Sequence, residues 1–250
     1  MTGTDPDTYR QAADMLRASR HNTAFTGAGI SVESGIPPFR GENGLWSRHD
    51  PVFLDMAYFH RHPLQSWQKI KEIFYDFFGG AEPNEAHKQL ASLESRGLIK
   101  SVITQNIDNL HQEAGSRSVI EFHGTSKKLI CTACGAITES SATNLEDLPP
   151  RCPECNEVLK PDFVFFGDAI PAVAQENSMA EAESADVFLV IGTTGEIMPA
   201  SVIPVLAKKN GARIIEINIE ESRYTHSITD VFIKEKASSA LRKLSDRLSR

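Results

Sequence analysis

Short apolar runs alternate along this chain with segments in which apolar residues recur at helical spacing. The apolar runs predict strands over residues 22–26, 97–103, 118–122, 186–191 and 212–217. The helical spacing predicts helices from Asp5 onward, over residues 63–78, between 83 and 97, and over residues 172–185, 199–209 and 238–248. Because strands and helices alternate, we predict an α/β fold with a Rossmann-like doubly wound parallel sheet.

Polar side chains follow two of the predicted strands at the points where the strands end. The run 97–103 leads into Gln105, Asn106, Asp108, Asn109 and His111, and the run 118–122 leads into His123. Buried amides and carboxylates are costly without partners, and open α/β sheets bind ligands beyond the carboxyl ends of their strands. We therefore expect these two strand ends to form one reactive floor. His87, in the helix after residue 83, is interpreted as a packing residue.

A Gly-x-Gly pattern follows the first predicted strand, at Gly27-Ala28-Gly29. At the start of a helix-like segment, this pattern is half of a dinucleotide-binding fingerprint, whose glycines let backbone N–H groups approach a pyrophosphate. Val32 stands where the third glycine of the full fingerprint would lie. A plain tight turn therefore remains the alternative interpretation.

Residues 35–46 are too rich in glycine and proline to form a helix or a strand. Arg40 beside Phe39 in such a loop suits a mobile flap over an anionic ligand. The alternative is a solvent-exposed loop whose Phe39 and Trp46 pack into the core.

The overall composition limits the partners of the chain. Its 250 residues are 40% hydrophobic and 24% charged, and the formal net charge is −7. This balance is ordinary for a globular enzyme and disfavours nucleic acid, whose binders usually present a basic face. No apolar run approaches the roughly 18 residues of a membrane span, so we expect no membrane partner. The polar, acidic N-terminus does not look like a signal peptide, and we predict a cytoplasmic protein.

Four cysteines form two Cys-x-x-Cys pairs, and 17 residues separate the pairs. This spacing predicts one tetrahedral zinc site made by Cys131, Cys134, Cys152 and Cys155. Four thiolates leave no open position, so the zinc is expected to be structural. A zinc ribbon that binds nucleic acid is the alternative, but acidic residues outnumber basic ones between residues 127 and 160.

Taken together, these motifs resemble the sirtuins, the NAD-dependent protein lysine deacylases. The matching stretches cover essentially the whole chain: residues 27–31, 35–40, 104–108, 110–111, 123–124, the four cysteines, 163–167, 192–193 and 217–218. The resemblance implies a Rossmann-like NAD-binding domain over residues 1–38, 85–126 and 160–250. It further implies a small domain made of a cofactor loop and helical insert over 39–84 and a zinc-binding module over 127–159.

The resemblance also implies which residues bind NAD. They are Gly27, Ala28 and Gly29 at the pyrophosphate, Phe39 and Arg40 on the cofactor loop, Gln105 at the nicotinamide ribose, Asn106, Ile107 and Asp108 at the carboxamide, and Gly192, Thr193, Thr194, Asn218 and Ala237 at the adenosine half.

His123, Asn106 and Asp108 are the catalytic residues that the resemblance implies. His123 would be the general base on the ribose hydroxyls, because a histidine of ordinary pKa near 6.5 can accept a proton near neutral pH. The products would be nicotinamide, free lysine and O-acyl-ADP-ribose.

An acyl-lysine protein or peptide is the substrate that the resemblance implies. The stretch that pairs with it would hold Val164, Phe165, Phe166 and Gly167, and Asp168 stands where the family often has Glu. Family members that remove succinyl or malonyl groups carry Tyr-x-x-Arg in the helical insert. Ile70 and Ile73 occupy those two places here, which favours acetyl or longer apolar acyl groups.

Three alternative functions stay open. One is mono-ADP-ribosyl transfer to a protein with the same cofactor, and another is removal of succinyl or malonyl groups. The third is a non-catalytic zinc module used for assembly, against which the intact Asn106, Asp108 and His123 argue.

Overall fold

The computed structural model describes residues 5–41 and 44–249. Residues 1–4 of the first predicted domain and residues 42–43 of the predicted loop lie outside that description. The strands are β1 (Asn22–Thr26), β2 (Ser101–Thr104), β3 (Val119–Glu121), β4 (Gly124–Cys131), β5 (Ile137–Glu139), β6 (Leu159–Phe163), β7 (Val187–Ile191), β8 (Arg213–Asn218) and β9 (Val231–Lys234). The α-helices are α1 (Pro6–Ala18), α2 (Leu45–Arg48), α3 (Met56–Arg61), α4 (Pro63–Ile70), α5 (Glu85–Ser95), α6 (Leu110–Glu113), α7 (Ala172–Ser184), α8 (Val202–Lys209) and α9 (Ala237–Leu248).

A six-stranded parallel sheet forms the centre of the fold, with strand order β3-β2-β1-β7-β8-β9. The order reverses between β1 and β7, so the crevice for a ligand lies beyond the carboxyl ends of those two strands. Every residue of β1, β2 and β7 is buried, as expected for central strands covered on both faces.

Helices cover both faces of this sheet, which confirms the predicted doubly wound fold. Alternate strand residues point to opposite faces: Ala24 and Leu189 pack with α1, α5 and α9, whereas Phe25 and Phe188 pack with α7 and α8. The core is therefore divided by the sheet into two apolar clusters. Among the described helices, none has the length and apolar character needed to span a membrane.

A smaller antiparallel sheet of order β5-β4-β6 packs against the helical insert. Buried Trp67 of the insert donates its indole N–H to the carbonyl of Leu159 at 2.7 Å. The strand β6 belongs to this small sheet, although the sequence motifs assign residues from 160 onward to the larger domain. The reason is that Leu159–Phe163 pair with β4 and not with β7.

The helix predicted over residues 63–78 is broken in the structure. It is α-helical only to Ile70, a wider π turn follows over Lys71–Phe77, and a 3-10 turn over Phe78–Gly80 ends the element. Ile73 and Phe74 are buried by this path, whereas Phe77 is 60% exposed. The strands β4, β5 and β9 and the short helices α2 and α3 have no counterpart among the predicted elements.

Candidate active site

Three glycines allow two chain segments to cross closely where β1 and β7 end. The N–H of Gly27 donates to the carbonyl of Ile191, and the N–H of Gly29 donates to the carbonyl of Gly192. A Cβ atom on Gly29 would lie 2.7 Å from the Gly192 Cα atom, and Gly192 itself has a φ of +61°. The two fingerprint glycines thus serve close backbone packing, and their N–H groups bond to the protein itself and not to a phosphate.

The predicted reactive floor forms directly after β2. The side-chain amide of Asn106 donates to the carbonyl of Gly27 and to the hydroxyl of Ser31, at 3.3 and 3.1 Å. The same hydroxyl donates to a carboxylate oxygen of Asp108 at 2.6 Å. Burial raises the pKa of Asp108, while the hydrogen bonds from Ser31 and from the Leu110 N–H oppose that rise. Asn106 and Asp108 are therefore fixed in place through one shared hydroxyl.

His87 stands behind that hydroxyl and completes a buried chain of polar groups. Its Nδ1 accepts from the N–H of Asn84, so its Nε2 carries the proton in the neutral ring and faces the Ser31 hydroxyl at 3.5 Å. Burial lowers the pKa of His87 to about 4, which keeps the ring neutral. The sequence motifs pointed to neither Ser31 nor His87 as part of the site. His87 lies within the predicted helix cap, and only the fold brings it 3.5 Å from Ser31.

A second buried histidine supports the floor from below. The Nε2 atom of His111 forms a hydrogen bond of 2.9 Å with the Thr26 hydroxyl, and that hydroxyl donates to the hydroxyl of Thr104. The Thr104 hydroxyl in turn accepts from the backbone N–H of Asn106. Burial lowers the pKa of His111 well below its usual value. These contacts tie the ends of β1 and β2 together beneath Asn106.

His123 follows β3 with a defined orientation of its ring. Its Nδ1 lies 2.9 Å from the carbonyl oxygen of Gln105. Because a carbonyl can only accept, Nδ1 carries the proton of the neutral ring and Nε2 keeps its lone pair. Burial lowers the pKa of His123 below 6.5, whereas a histidine with the ordinary value was expected from the sequence. The ring is thus a neutral base over a wider pH range than a free imidazole.

Thr193 links the predicted binding residues for the two halves of NAD. Its hydroxyl accepts from the side-chain amide of Gln105 at 3.2 Å, and its carbonyl accepts from the side-chain amide of Asn218 at 3.0 Å. Thr194 is exposed, and its carbonyl accepts from the N–H of Arg223. Ala237 begins α9 and is buried. Gln105, Gly192, Thr193 and Asn218 thus share one edge of the crevice.

The predicted cofactor loop lies against aromatic residues of the small domain. The Phe39 ring is 5.4 Å from the ring of Trp46, which contacts the Phe53 ring at 6.2 Å. Arg40 is exposed. The loop therefore has one apolar anchor and one charged side chain that faces solvent, which combines both interpretations of its sequence.

A cavity of about 330 Å³ lies between this loop, α2 and the π turn. Ile36, Leu45, Ile73 and Phe77 give it apolar walls, and Arg48, His49 and Glu72 add charge. The backbone N–H of Ile36 bonds to the carbonyl of Ser31, so the cavity begins beside the polar floor. Ile70 is fully buried in the core of the insert. Of the two predicted acyl-pocket positions, only Ile73 lines the described cavity.

The segment after β6 runs alongside His123. The N–H of Val164 donates to the His123 carbonyl, while Phe166 exchanges backbone hydrogen bonds with Leu54 and Met56. Phe165 is 2% exposed and Phe166 is 47% exposed. Among the described residues, the carbonyl of Val164 and the N–H of Gly167 have no backbone partner. An extended peptide could bond to these two groups by strand addition.

The four cysteines lie together in two turns of the same shape. Gly135 and Asn156 have positive φ values of 77° and 62°, and their N–H groups bond to the carbonyls of Cys131 and Cys152. The sulfur atoms of Cys131, Cys134, Cys152 and Cys155 lie within 4.8 Å of one another. A tetrahedral zinc ion with Zn–S bonds of about 2.3 Å sets its sulfurs roughly 3.8 Å apart. Here the sulfur atoms of free cysteines that are close enough to hydrogen-bond lie 3.5 to 3.7 Å apart.

Together the crevice offers a neutral imidazole base, a buried carboxylate and amide, and a strand edge for a peptide. The Sir2 family model matches residues 27–199 of this chain. A protein of Pyrobaculum aerophilum named NAD-dependent protein deacylase 2 is 43% identical over 242 residues, covering 95% of each chain.

Two solved structures of the same family share the fold. A Sir2 homologue in complex with NAD is 36% identical with a TM-score of 0.90, and the match covers 100% of this chain and 96% of that chain. A Sir2 protein with a p53 peptide and NAD+ is 33% identical with a TM-score of 0.87, covering 95% and 97%. The chain therefore belongs to the Sir2 family, as its sirtuin-like motifs predict.

Proposed function

We propose that this chain removes acetyl, or longer apolar acyl, groups from protein lysines and consumes NAD in the reaction. The observation that carries the proposal is the orientation of His123, whose free Nε2 lies at the end of the crevice that holds Asn106 and Asp108. Its relatives include a named NAD-dependent deacylase and structures with NAD and with a peptide. Both findings support the same reaction.

The crevice at the crossing of β1 and β7 would hold NAD. Asn106 and Asp108 would bind the N–H groups of the carboxamide, because the Asn106 side-chain carbonyl and the Asp108 carboxylate are acceptors. Ile107, 8% exposed, would form an apolar wall beside them. Gln105 would contact the nicotinamide ribose, and Thr193, Thr194, Asn218 and Ala237 the adenosine half. Gly27, Ala28, Gly29 and Gly192 would allow the pyrophosphate to approach the backbone, with Phe39 and Arg40 closing over it.

NAD supplies a ribose carbon with a leaving group and ribose hydroxyls that receive the acyl group. His123 would take the proton of a ribose hydroxyl at Nε2, while the Gln105 carbonyl holds the proton on Nδ1. The low polarity around the ring favours the neutral base before the transfer. The protein contributes position, a dry environment and this one proton acceptor.

An acyl-lysine peptide would add as a strand beside Val164, Phe165, Phe166 and Gly167. The carbonyl of Val164 is an available acceptor for the N–H of the acylated lysine, close to His123 along the Val164–His123 backbone bond. Ile70 and Ile73 stand where family members that remove succinyl or malonyl groups carry Tyr and Arg, which supports acetyl or longer apolar acyl groups. Arg48 in the wall of the cavity that Ile73 lines keeps removal of succinyl or malonyl groups as the alternative. The exclusion of nucleic acid and the cytoplasmic location stay predictions.

The four-cysteine cluster would hold one structural zinc ion. The sulfur positions fit tetrahedral coordination, and four thiolates leave no place for a substrate. The zinc would therefore act on folding and not on the reaction. The small sheet that contains it would join the helical insert as the small domain, with residues 127–159 as its zinc-binding module.

Identification of the acylated product tests the proposed reaction. The chain is incubated with NAD and an acetyl-lysine peptide, and the products are identified by mass spectrometry. Deacylation predicts nicotinamide, the free lysine peptide and O-acetyl-ADP-ribose in equal amounts. ADP-ribose attached to a protein without loss of acetyl groups would instead support mono-ADP-ribosyl transfer and refute the proposal. A parallel set of succinyl and long-chain acyl peptides tests the acyl preference.

A further inference from the structure

A lysine is buried at the root of the segment proposed to bind the peptide. Lys160, in β6, is 6% exposed, although lysine is among the residues least often buried without a partner. Its ammonium donates to the carbonyls of Pro161 and Phe163, at 3.0 and 2.6 Å. Neither Lys160 nor its contacts take part in the zinc cluster or in the NAD crevice described above.

The same ammonium also reaches the far end of the segment. It lies 3.1 Å from a carboxylate oxygen of Asp168 and 4.2 Å from the centre of the Phe165 ring. That carboxylate oxygen accepts the N–H of Phe165 at 3.0 Å, and the N–H of Asp168 bonds back to the Phe165 carbonyl. A charge pair made of buried Lys160 and partly exposed Asp168 therefore closes residues 161–168 into a loop that is fixed at its start, middle and end.

The pair has an energetic cost that folding alone does not explain. A charge removed from water loses several kcal/mol of hydration, and apolar side chains of similar volume are often equally stable in its place. The charges fix the conformation of the loop. The ammonium orients the carbonyls of Pro161 and Phe163 and the ring of Phe165, and the carboxylate orients the N–H of Phe165. The free groups of Val164 and Gly167 lie inside the loop that these contacts define.

We propose that Lys160 and Asp168 are positioning residues that hold residues 164–167 in the conformation that pairs with the substrate peptide. This inference rests on the proposed use of those residues by the peptide. The pair acts through the backbone and touches neither the peptide nor the acyl group. The expected consequence of losing it is weaker peptide binding with little change in the NAD site.

A double substitution separates positioning from stability. Asp168→Asn leaves the buried Lys160 charge alone, and Lys160→Met leaves the partly exposed Asp168 charge alone, so each single change lowers the melting temperature. The double variant Lys160→Met/Asp168→Leu leaves no lone charge and is expected to regain most of the lost stability. A merely structural pair predicts that its peptide KM also returns to normal, whereas a positioning pair predicts that the KM stays raised.

The experiment measures steady-state deacylation of an acetyl-lysine peptide by full-length wild type, both single variants and the double variant. We expect the peptide KM of the double variant to rise about tenfold, with kcat within about threefold and the KM for NAD within about twofold of wild type. Lys208→Met, which breaks the partly exposed Lys208–Asp230 pair, is the matched control and should leave the peptide KM unchanged.

The outcomes are distinguishable from failure of the proposed reaction. A double variant with recovered stability and a normal peptide KM would overturn the positioning role while deacylation stands. No deacylation by wild type would instead refute the proposed function. Should the double variant not fold, Asp168→Ala decides the matter, because it removes the acceptor of the Phe165 N–H. With this variant assayed well below its melting temperature, a raised peptide KM at full NAD binding supports the role, and an unchanged KM refutes it.

Discussion

The polar floor after β2 and the four-cysteine cluster each bring several polar or ionisable side chains together, and they differ in how these side chains are partnered. In the floor, Asn106 is buried and Asp108 and His123 are partly buried, and each finds a partner within the chain. In the cluster, the described sulfurs face mainly one another, and Cys134 and Cys155 are exposed. The polar groups of the floor are partnered by the protein itself, whereas the cluster would gain its full stability only from the proposed ion.

This difference would separate the residues proposed to react from those proposed only to support the fold. A floor held by protein hydrogen bonds can keep its geometry while substrates enter and leave. Its desolvation also tunes ionisation, since burial raises the pKa of Asp108 and lowers that of His123. A fully coordinated metal can do neither, and its loss is expected to affect folding first.

The largest effect is expected at the cluster. Cys152→Ser removes one of four thiolates, and structural zinc in small domains contributes about 10–16 kcal/mol of apparent binding free energy. We expect loss of bound zinc together with loss of the folded small domain, measured by metal analysis and circular dichroism. A variant that lacks metal yet keeps the wild-type melting temperature and activity would contradict a structural ion.

At the floor, His123→Ala is expected to reduce kcat by about 10²–10⁴-fold, the range of a lost general base. NAD affinity, measured by calorimetry, should stay within a few fold because the histidine's bond to the Gln105 carbonyl lies outside the predicted carboxamide pocket. His226→Ala, at an exposed histidine paired with Glu221, is the control for histidine removal. Near-normal turnover of His123→Ala would contradict the role of His123 as the general base.

Ser31→Ala tests whether the floor depends on its shared hydroxyl. The change strands a buried carboxylate oxygen and a buried amide N–H, and each unmet hydrogen bond costs about 1–3 kcal/mol. We expect kcat/KM to fall by about 10–100-fold with little effect on zinc content. Ser34→Ala, three residues further in the same 3-10 turn, is the matched control. Equal kcat/KM values for the two variants would show that the hydroxyl does not organise Asn106 and Asp108.

The last prediction concerns an effect that is absent at neutral pH, a pH-dependent loss of stability from the buried histidines. His87 has a pKa of about 4 in the folded chain, below the roughly 6.5 of an unfolded chain. The unfolded state therefore binds its proton first, so stability is complete above pH 6.5 and falls as the pH drops toward 4. The slope is about 1.4 kcal/mol per pH unit for each such histidine, and urea unfolding of His87→Gln should show a smaller slope. An unchanged slope would contradict the buried neutral ring.

The sequence predicted the parts of the site that follow each other along the chain. Gln105, Asn106 and Asp108 lie in one run after an apolar strand, and the cysteines have a spacing that tetrahedral zinc requires. Both patterns are formed by residues that are close in the sequence, so they can be recognised without knowledge of the fold. The central sheet was predictable for the same reason, because its strands are short apolar runs between helices.

Contacts between distant segments were beyond the sequence pattern. Ser31 meets Asn106 and Asp108 because β1 and β2 are neighbours in the sheet, and His87 reaches Ser31 from α5. The small sheet was missed because β4 and β5 carry few apolar residues and pair around the cysteines. The N–H groups of Gly27 and Gly29 were expected to face a phosphate, yet they bond to the last residue of β7 and to Gly192 after it, which are far away in the chain.

The pH dependence of kcat/KM for an acetyl-lysine peptide tests the central claim most directly. A base must be unprotonated to act, so activity is lost as the pH falls through the pKa of His123, which burial lowers. The account predicts an acidic limb with a midpoint below pH 6.5 that is absent from the residual activity of His123→Ala. A wild-type midpoint at or above 6.5, or the same limb in the variant, would contradict a buried neutral His123 as the base.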